Sequence, residues 1–197
     1  MPKPNQQLSE WIDIIDDSDF ISMGVGELLE IAAKKFPNTD ALIYSHQPDI
    51  KNIRWTYKYL NEMSTTLARG FLNAGFGPGD TIAVWGPNHP EWILIEYALA
   101  KAGLKLATLN PLYKEKELIF ALNTSNVTGI IHADEIGGLE AIKLIQSIAF
   151  DVPSLEHIYS FTDGIETLIS GGEASSTELP QIDPADIFMI QYTSGTT

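Results

Sequence analysis

The sequence predicts an α/β fold: a doubly wound, mainly parallel sheet with flanking helices. Three observations predict it. Short strand-like runs recur at 81–85, 105–109, 127–132, 155–161 and 187–190, the last rich in β-branched and aromatic residues. Stretches with helical i, i+3, i+4 spacing separate most of them, the alternation of βαβ units. Hydrophobic residues make up 44% of the 197 residues and charged residues 19%, enough apolar material for a sheet covered on both faces.

The elements follow in order. Residues 1–22 are polar and acidic (Asp13, Asp16, Asp17, Asp19) and read as a lead-in. Gly24 then opens a helix carrying Val25, Leu28, Leu29, Ala32 and Phe36, with Glu27 in its first turn and Pro37 closing it. Residues 41–44 and 53–56 form two short strands joined by a polar turn from His46 to Asn52. Thr56 starts a helix with Leu60, Met63, Leu67, Ala68, Phe71 and Leu72 on one face, stopped at Gly75. Gly77-Pro-Gly-Asp80 is a turn before the strand 81–85.

Asn88 is placed to cap the next helix, with Pro90 in its first turn and Gly103 at its end. A strand at 105–109 leads through Asn110-Pro111 to a helix from Lys114 to Asn123, with Glu115 and Glu117 in its first turn. The strand 127–132 follows, then Asp134-Glu135, read as a helix start, and a helix over 138–148. After the strand 155–161, residues 163–186 contain Gly171-Gly172, Pro180, Pro184 and several acids, and read as an exposed connection.

Charge and composition narrow the function. With 26 acidic and 12 basic residues the net charge is −14, against a nucleic-acid backbone or an anionic membrane as a general partner. The absence of cysteine excludes disulfides, cysteine–zinc sites and cysteine nucleophiles. The start of the chain has no apolar signal-peptide core, and the most apolar window, 92–100, is short and contains Glu96. The expectation is a soluble cytoplasmic protein.

The last twelve residues, Asp186-Ile-Phe-Met-Ile-Gln-Tyr-Thr-Ser-Gly-Thr-Thr197, read as a buried strand followed by small hydroxyl residues around one glycine. Such a cluster can converge backbone N–H groups and hydroxyls on an anion. It can equally be a polar turn. Position favours neither outright, although ligands of open α/β sheets bind just beyond the carboxyl ends of strands, where Thr193 to Thr197 fall.

Other chemistry finds less support. A Walker loop needs a lysine after its second glycine, and Gly195 is followed by none. His46, His89, His132 and His157 are scattered without metal-ligand spacing and read as ordinary surface or strand-end residues; His89 stands apart because its turn follows a strand. Ser194 lacks the flanking glycines of a nucleophile elbow. No complete catalytic constellation is present.

Gln191-Tyr-Thr-Ser-Gly-Thr-Thr197 nevertheless resembles the first half of the phosphate-loop signature of the adenylate-forming (AMP-binding) enzymes. Upstream, Trp85-Gly-Pro-Asn88 with Glu91, then Ala98, Gly103, Asn110-Pro111 and Glu117-Leu118, match an earlier block of that family. Gly26-Glu-Leu-Leu29, Phe36-Pro37 and Trp55-Thr-Tyr57 resemble its N-terminal segment. Within the family, Trp85-Gly-Pro-Asn and Asn110-Pro-Leu-Tyr113 look most like medium- or long-chain fatty-acyl-CoA synthetases.

The resemblance implies an acid–thiol ligase that uses ATP, Mg²⁺ and coenzyme A to convert a carboxylic acid, through an acyl-adenylate, to its CoA thioester. It implies that Thr193, Ser194, Gly195, Thr196 and Thr197 grip the β- and γ-phosphates, with no catalytic residue and no metal ligand in the stretch. It further implies that residues 23–197 are a partial N-terminal AMP-binding domain lacking the C-terminal domain, and inactive alone. Alternatives are an aryl-CoA ligase, a peptide-synthetase adenylation domain, or a non-catalytic interaction module.

Overall fold

The computed structural model describes residues 22–45 and 52–193. Nearly all of the lead-in, the turn from 46 to 51 and residues 194–197 lie outside the described residues.

Helix α1, Val25–Lys35, follows Gly24 as expected, with Glu27 in its first turn and Lys34 and Lys35 in its last, each matched to the helix dipole. It buries Gly26, Leu29 and Ala33, while Leu28 and Phe36 of the expected stripe are exposed. Strands β1, Asp40–Tyr44, and β2, Ile53–Thr56, form a separate antiparallel pair. Thr56 caps α2, Tyr57–Asn73: its side-chain oxygen accepts from the Tyr59 amide at 3.2 Å.

From here strands and helices alternate: β3 (Thr81–Trp85), α3 (Glu91–Ala102), β4 (Lys105–Leu109), α4 (Glu115–Thr124) and β5 (Val127–His132). A hairpin of β6 (Glu135–Ile136) and β7 (Leu139–Glu140) leads into α5 (Ala141–Ile148). Then come β8 (His157–Ser160), α6 (Asp163–Glu173) and β9 (Met189–Gln191). The sheet runs β8-β5-β3-β4-β9 with every neighbouring pair parallel.

Both faces of the sheet are covered, which is why β3 is buried at every position and reads as an unbroken apolar run. Ile82, Val84, Leu106 and Ile131 meet α1, α2, α3 and α6 through Leu29, Leu67, Phe71, Leu99 and Leu168. Ala83, Trp85, Ala107, Leu109 and Ile130 meet α4 and α5 through Leu118, Leu122, Ile145 and Ile148. The predicted doubly wound α/β class is therefore the observed one.

Four details depart from the sequence reading. The supposed connection 163–186 begins with α6, which buries Ile165, Leu168 and Gly172 against α2; only the stretch beyond it is irregular. Its paired glycines were counted toward an exposed connection, but Gly172 packs where a Cβ would sit 1.9 Å from the Thr66 carbonyl oxygen. Asp134-Glu135 does not start a helix. Gly137 and Gly138, with φ of 60° and 79°, turn a short hairpin there, so the helix expected from 138 starts at Ala141. The helix expected from Asn88 starts at Glu91, because Pro90 is itself already at helical dihedrals and takes the cap position. Finally, β9 is a half-buried edge strand of three residues, and Ile187 is exposed rather than inside the sheet.

Gly26 marks the tightest approach of α1 to α3, where an added Cβ would lie 2.7 Å from Cγ of Lys101. Lys101 itself is buried. Its ammonium donates to the Asn61 carbonyl (3.1 Å), Asn61 Oδ1 (2.7 Å) and Thr65 Oγ1 (2.8 Å), with a Glu30 oxygen at 3.9 Å. Burial lowers its pKa from 10.5 to about 8, and Glu30 partly opposes this.

Candidate functional site

All five strands of the central sheet are parallel, so their carboxyl ends form one edge. Helix α3 follows β3 on one face and α5 follows β5 on the other, although β3 and β5 are neighbours. Exit loops that part to opposite faces leave a crevice, the usual ligand position of such sheets.

The loop after β3, residues 86–90, is braced from several directions. The Ala133 amide donates to the Trp85 carbonyl at 3.0 Å, and the Trp92 indole donates to the Pro87 carbonyl at 2.9 Å. The Tyr44 hydroxyl donates to the Asn88 carbonyl at 3.2 Å, tying in the separate β1–β2 pair. His89 stacks on Phe161 with ring centroids 5.2 Å apart and planes 11° from parallel, and its Nδ1 contacts a Glu91 carboxylate oxygen. Gly86 permits this closeness: a Cβ there would lie 2.8 Å from the Phe161 ring and 2.9 Å from Cβ of Ala133.

A cleft of about 550 Å³ opens between this loop, the loop after β4 and the β6–β7 hairpin. Its walls are mostly apolar: Trp85, Pro87, Pro111, Tyr113, Ile136 and Leu144. Leu112 and Leu139 also line it and are strongly exposed. Lys114, Glu115, Glu135 and Glu140 supply its charge. Trp85 forms part of the wall with its indole pinned, donating to the Asn110 carbonyl at 3.1 Å. At the N-terminus of α4 the Glu117 carboxylate accepts from the Lys114 amide at 2.8 Å. Size and lining suit an apolar small-molecule body.

Strand β9, the neighbour of β4, ends at the same edge, and the hydroxyl-rich tail follows it in sequence. Thr193, two residues past the end of β9, is exposed. Ser194, Gly195, Thr196 and Thr197 lie outside the described residues. Tyr192 is held by its hydroxyl, which donates to the Ala121 carbonyl at 2.6 Å and touches Ser125 Oγ.

His132 and His157 have structural roles. His132 is buried at the end of β5, with Nδ1 donating to the Ala133 carbonyl at 2.9 Å, and His157 stacks with Tyr159 and packs on Phe76. His46 lies outside the described residues. Asp134 accepts from Thr162 Oγ1 at 3.2 Å, linking the ends of β5 and β8. Among the described residues no group of three or more His, Asp or Glu side chains is arranged to hold a metal ion. Burial raises the pKa of Glu96, of Tyr97 (with Glu96 and Tyr57 adding to it) and of Tyr159; Glu96 and Tyr97 lie on α3 and Tyr159 within β8.

Sequence reasoning missed the cleft and the Tyr192 contacts. Both are made by residues distant in the chain, and only the apolar character of Pro111-Leu-Tyr113 next to a helix start hinted at the first.

A family model described as AMP-binding enzyme matches residues 29–197. The Bacillus subtilis protein YngI is 29% identical over 208 residues, covering 91% of this chain and 37% of that protein. The rat mitochondrial medium-chain acyl-CoA ligase ACSF2 is 34% identical over 140 residues, covering 71% of this chain and 22% of that one. The chain thus spans well under half the length of the curated relatives it matches. In structure it resembles the long-chain-fatty-acid–CoA ligase FadD1 of Archaeoglobus fulgidus, with a TM-score of 0.77 at 20% identity, covering 90% of this chain and 36% of that one; at that identity the likeness is one of fold.

Proposed function

This chain belongs to the AMP-binding enzyme family, and we propose that it supplies the phosphate-gripping edge of an ATP-dependent acid–thiol ligase acting on a medium- or long-chain fatty acid. The observation that carries the reading is the position of Thr193. Thr193, the first residue of the Thr-Ser-Gly-Thr-Thr run, lies at the carboxyl edge of a doubly wound parallel sheet, beside the strand whose exit loop lines the apolar cleft.

A carboxylate is a poor electrophile. ATP, as co-substrate, supplies the activating group, and pyrophosphate departs. The contribution of residues 193–197 is to hold the phosphates by hydroxyls and backbone amides, so that charge building on the leaving group is met by donors already in place. Oriented amides and hydroxyls do this within an acidic protein, since the effect is local. In this reading residues 193–197 contribute positioning and charge stabilisation. In the second step the thiol of coenzyme A attacks the acyl carbon of the adenylate, forming the thioester as AMP departs. The partition into a lead-in (1–22) and a partial AMP-binding domain (23–197), and a cytoplasmic location, belong to the same proposal.

The support for a fatty acid is the 34% identity to a medium-chain acyl-CoA ligase together with the mostly apolar walls of the cleft. The test is pyrophosphate–ATP exchange by the complete enzyme across a panel of fatty, aromatic and amino acids. Exchange greatest with fatty acids is the expected result. Exchange only with aryl or amino acids overturns the substrate assignment, and no exchange with any acid overturns the function. The 197-residue chain alone is expected to give no exchange.

A further inference from the structure

Tyr192 stands between β9 and the hydroxyl-rich tail in sequence. It follows Ile190 onto the face covered by α4 and α5. Its hydroxyl donates to the Ala121 carbonyl at 2.6 Å and meets Oγ of Ser125. Both partners belong to the end of α4: Ala121 is in its last turn, and Ser125 is the residue that closes it. Carbonyls in a last helical turn have no full set of partners within the helix. The Ser125 amide already donates to Ala121 O at 3.1 Å, so amide and phenol converge on one oxygen. Ser125 is itself buried.

The clasp adds to a short strand whose residues pair with β4 and whose Met189 and Ile190 pack on its two faces. The strand is three residues long, pairs only with β4 among the described residues, and is preceded by the exposed Ile187. Beyond Gln191 the polar contact that ties the strand to the body of the fold is made by Tyr192, across 71 residues of sequence to Ala121.

We propose that Tyr192, acting through Ala121 and Ser125, is a positioning residue that sets where the phosphate-gripping tail leaves the sheet. The proposal rests on the reading of residues 193–197 as that grip. A grip made of several weak donors works only when all of them converge on one point, so a small shift at its root costs affinity out of proportion to the single hydrogen bond lost. A Tyr192 that served only as core packing would instead lower stability without separating the substrates.

The experiment compares the complete enzyme with Tyr192→Phe, Ser125→Ala and the double variant. Steady-state kinetics are run on ATP and on the acid, with amide exchange followed on the peptide spanning 186–197. Tyr192→Phe is expected to raise KM for ATP about tenfold while KM for the acid stays put. Ser125→Ala is expected to do so more weakly, and the double variant to be no worse than Tyr192→Phe. Amide exchange should quicken in the 186–197 peptide and not in peptides from β3 or α2.

A wild-type ATP response and wild-type exchange in Tyr192→Phe overturn the proposal, as does an equal loss for both substrates that follows melting temperature. Ser194→Ala and Thr197→Ala separate this from the underlying reading. If they leave KM for ATP unchanged, the grip falls and this proposal with it. If they raise it while Tyr192→Phe does not, this proposal alone falls.

Discussion

Gly172 of α6 lies so close to Thr66 of α2 that a methyl group at 172 would sit 1.9 Å from the Thr66 carbonyl oxygen and 2.9 Å from the Gly70 amide nitrogen. The contact is reciprocal in kind, since a Cβ on Gly70 would fall 2.0 Å from the carbonyl oxygen of Leu168. Two glycines on facing helices let the backbones touch. Gly171, by contrast, has only Asn73 Nδ2 at 3.5 Å. Adjacent glycines should therefore respond with opposite sign. Gly172→Ala is expected to destabilise the protein by about 1–3 kcal/mol or more through overpacking. Gly171→Ala is expected to stabilise it by roughly 0.5–1 kcal/mol by removing a helical glycine. Urea denaturation of the two variants checks this, and equal effects would count against the close packing.

That pair also shows why part of the fold was hidden from the sequence. The strands β3, β4 and β5 were legible because burial on both faces favours mostly apolar runs, clearest in Ile82–Trp85 of β3. Helix α6 carried its own signal, Ile165, Leu168, Ile169 and Gly172 at i, i+3, i+4 and i+7, but a glycine counted toward an exposed connection when it was an interface residue. The Gly137-Gly138 hairpin was lost for the opposite reason, being two residues a side and too short for any period to show. At the candidate site the hydroxyl tail was visible as a motif. The cleft was not, since Trp85, Tyr113, Ile136 and Leu144 come together only through the crossovers. The Tyr192–Ser125 contact spans 67 residues and leaves no local mark.

Lys101 gives a prediction in pH. Its folded pKa is about 8, below the ordinary 10.5, with burial as the larger cause and Glu30 opposing. Between those values the unfolded chain holds a proton that the folded chain has released. Stability from this group therefore rises as pH increases from about 8 to 10.5, and the burden is full below that window. Lys101→Met should abolish that rise. Subtracting the urea midpoints of the variant from those of the native protein across the window isolates it from tyrosine titration elsewhere. A difference that stays flat would refute the assignment.

Gly86 tests the bracing of the loop after β3. Gly86→Ala places a methyl group 2.8 Å from the Phe161 ring and 2.9 Å from Cβ of Ala133, so Phe161 must shift and carry its stacked partner His89 with it. The expected cost is about 1–3 kcal/mol. His89→Ala, by contrast, removes one half-exposed stack and should cost no more than about 1 kcal/mol. Thermal denaturation of both variants, ranked against each other, decides whether Gly86 or His89 carries the loop.

The tail itself yields the most direct functional prediction. A hydrogen bond from a hydroxyl to a phosphate oxygen is charge-assisted, and its loss costs about 1.5–3 kcal/mol. Removing one such donor should therefore lower kcat/KM for ATP by roughly tenfold to a hundredfold. Ser194→Ala and Thr197→Ala are expected to do this in the complete enzyme with KM for the acid unchanged, because neither hydroxyl has a role toward the acid in the proposed grip. Thr193 stands nearest the strand, directly after Tyr192. Thr193→Ser should therefore be tolerated, since it keeps the hydroxyl, whereas Thr193→Val keeps the shape and should lose the ATP response. Pyrophosphate exchange at varied ATP measures all four. Equal activity of Thr193→Val and Thr193→Ser would mean that the Thr193 hydroxyl does not touch the phosphates, and would move the start of the grip to Ser194.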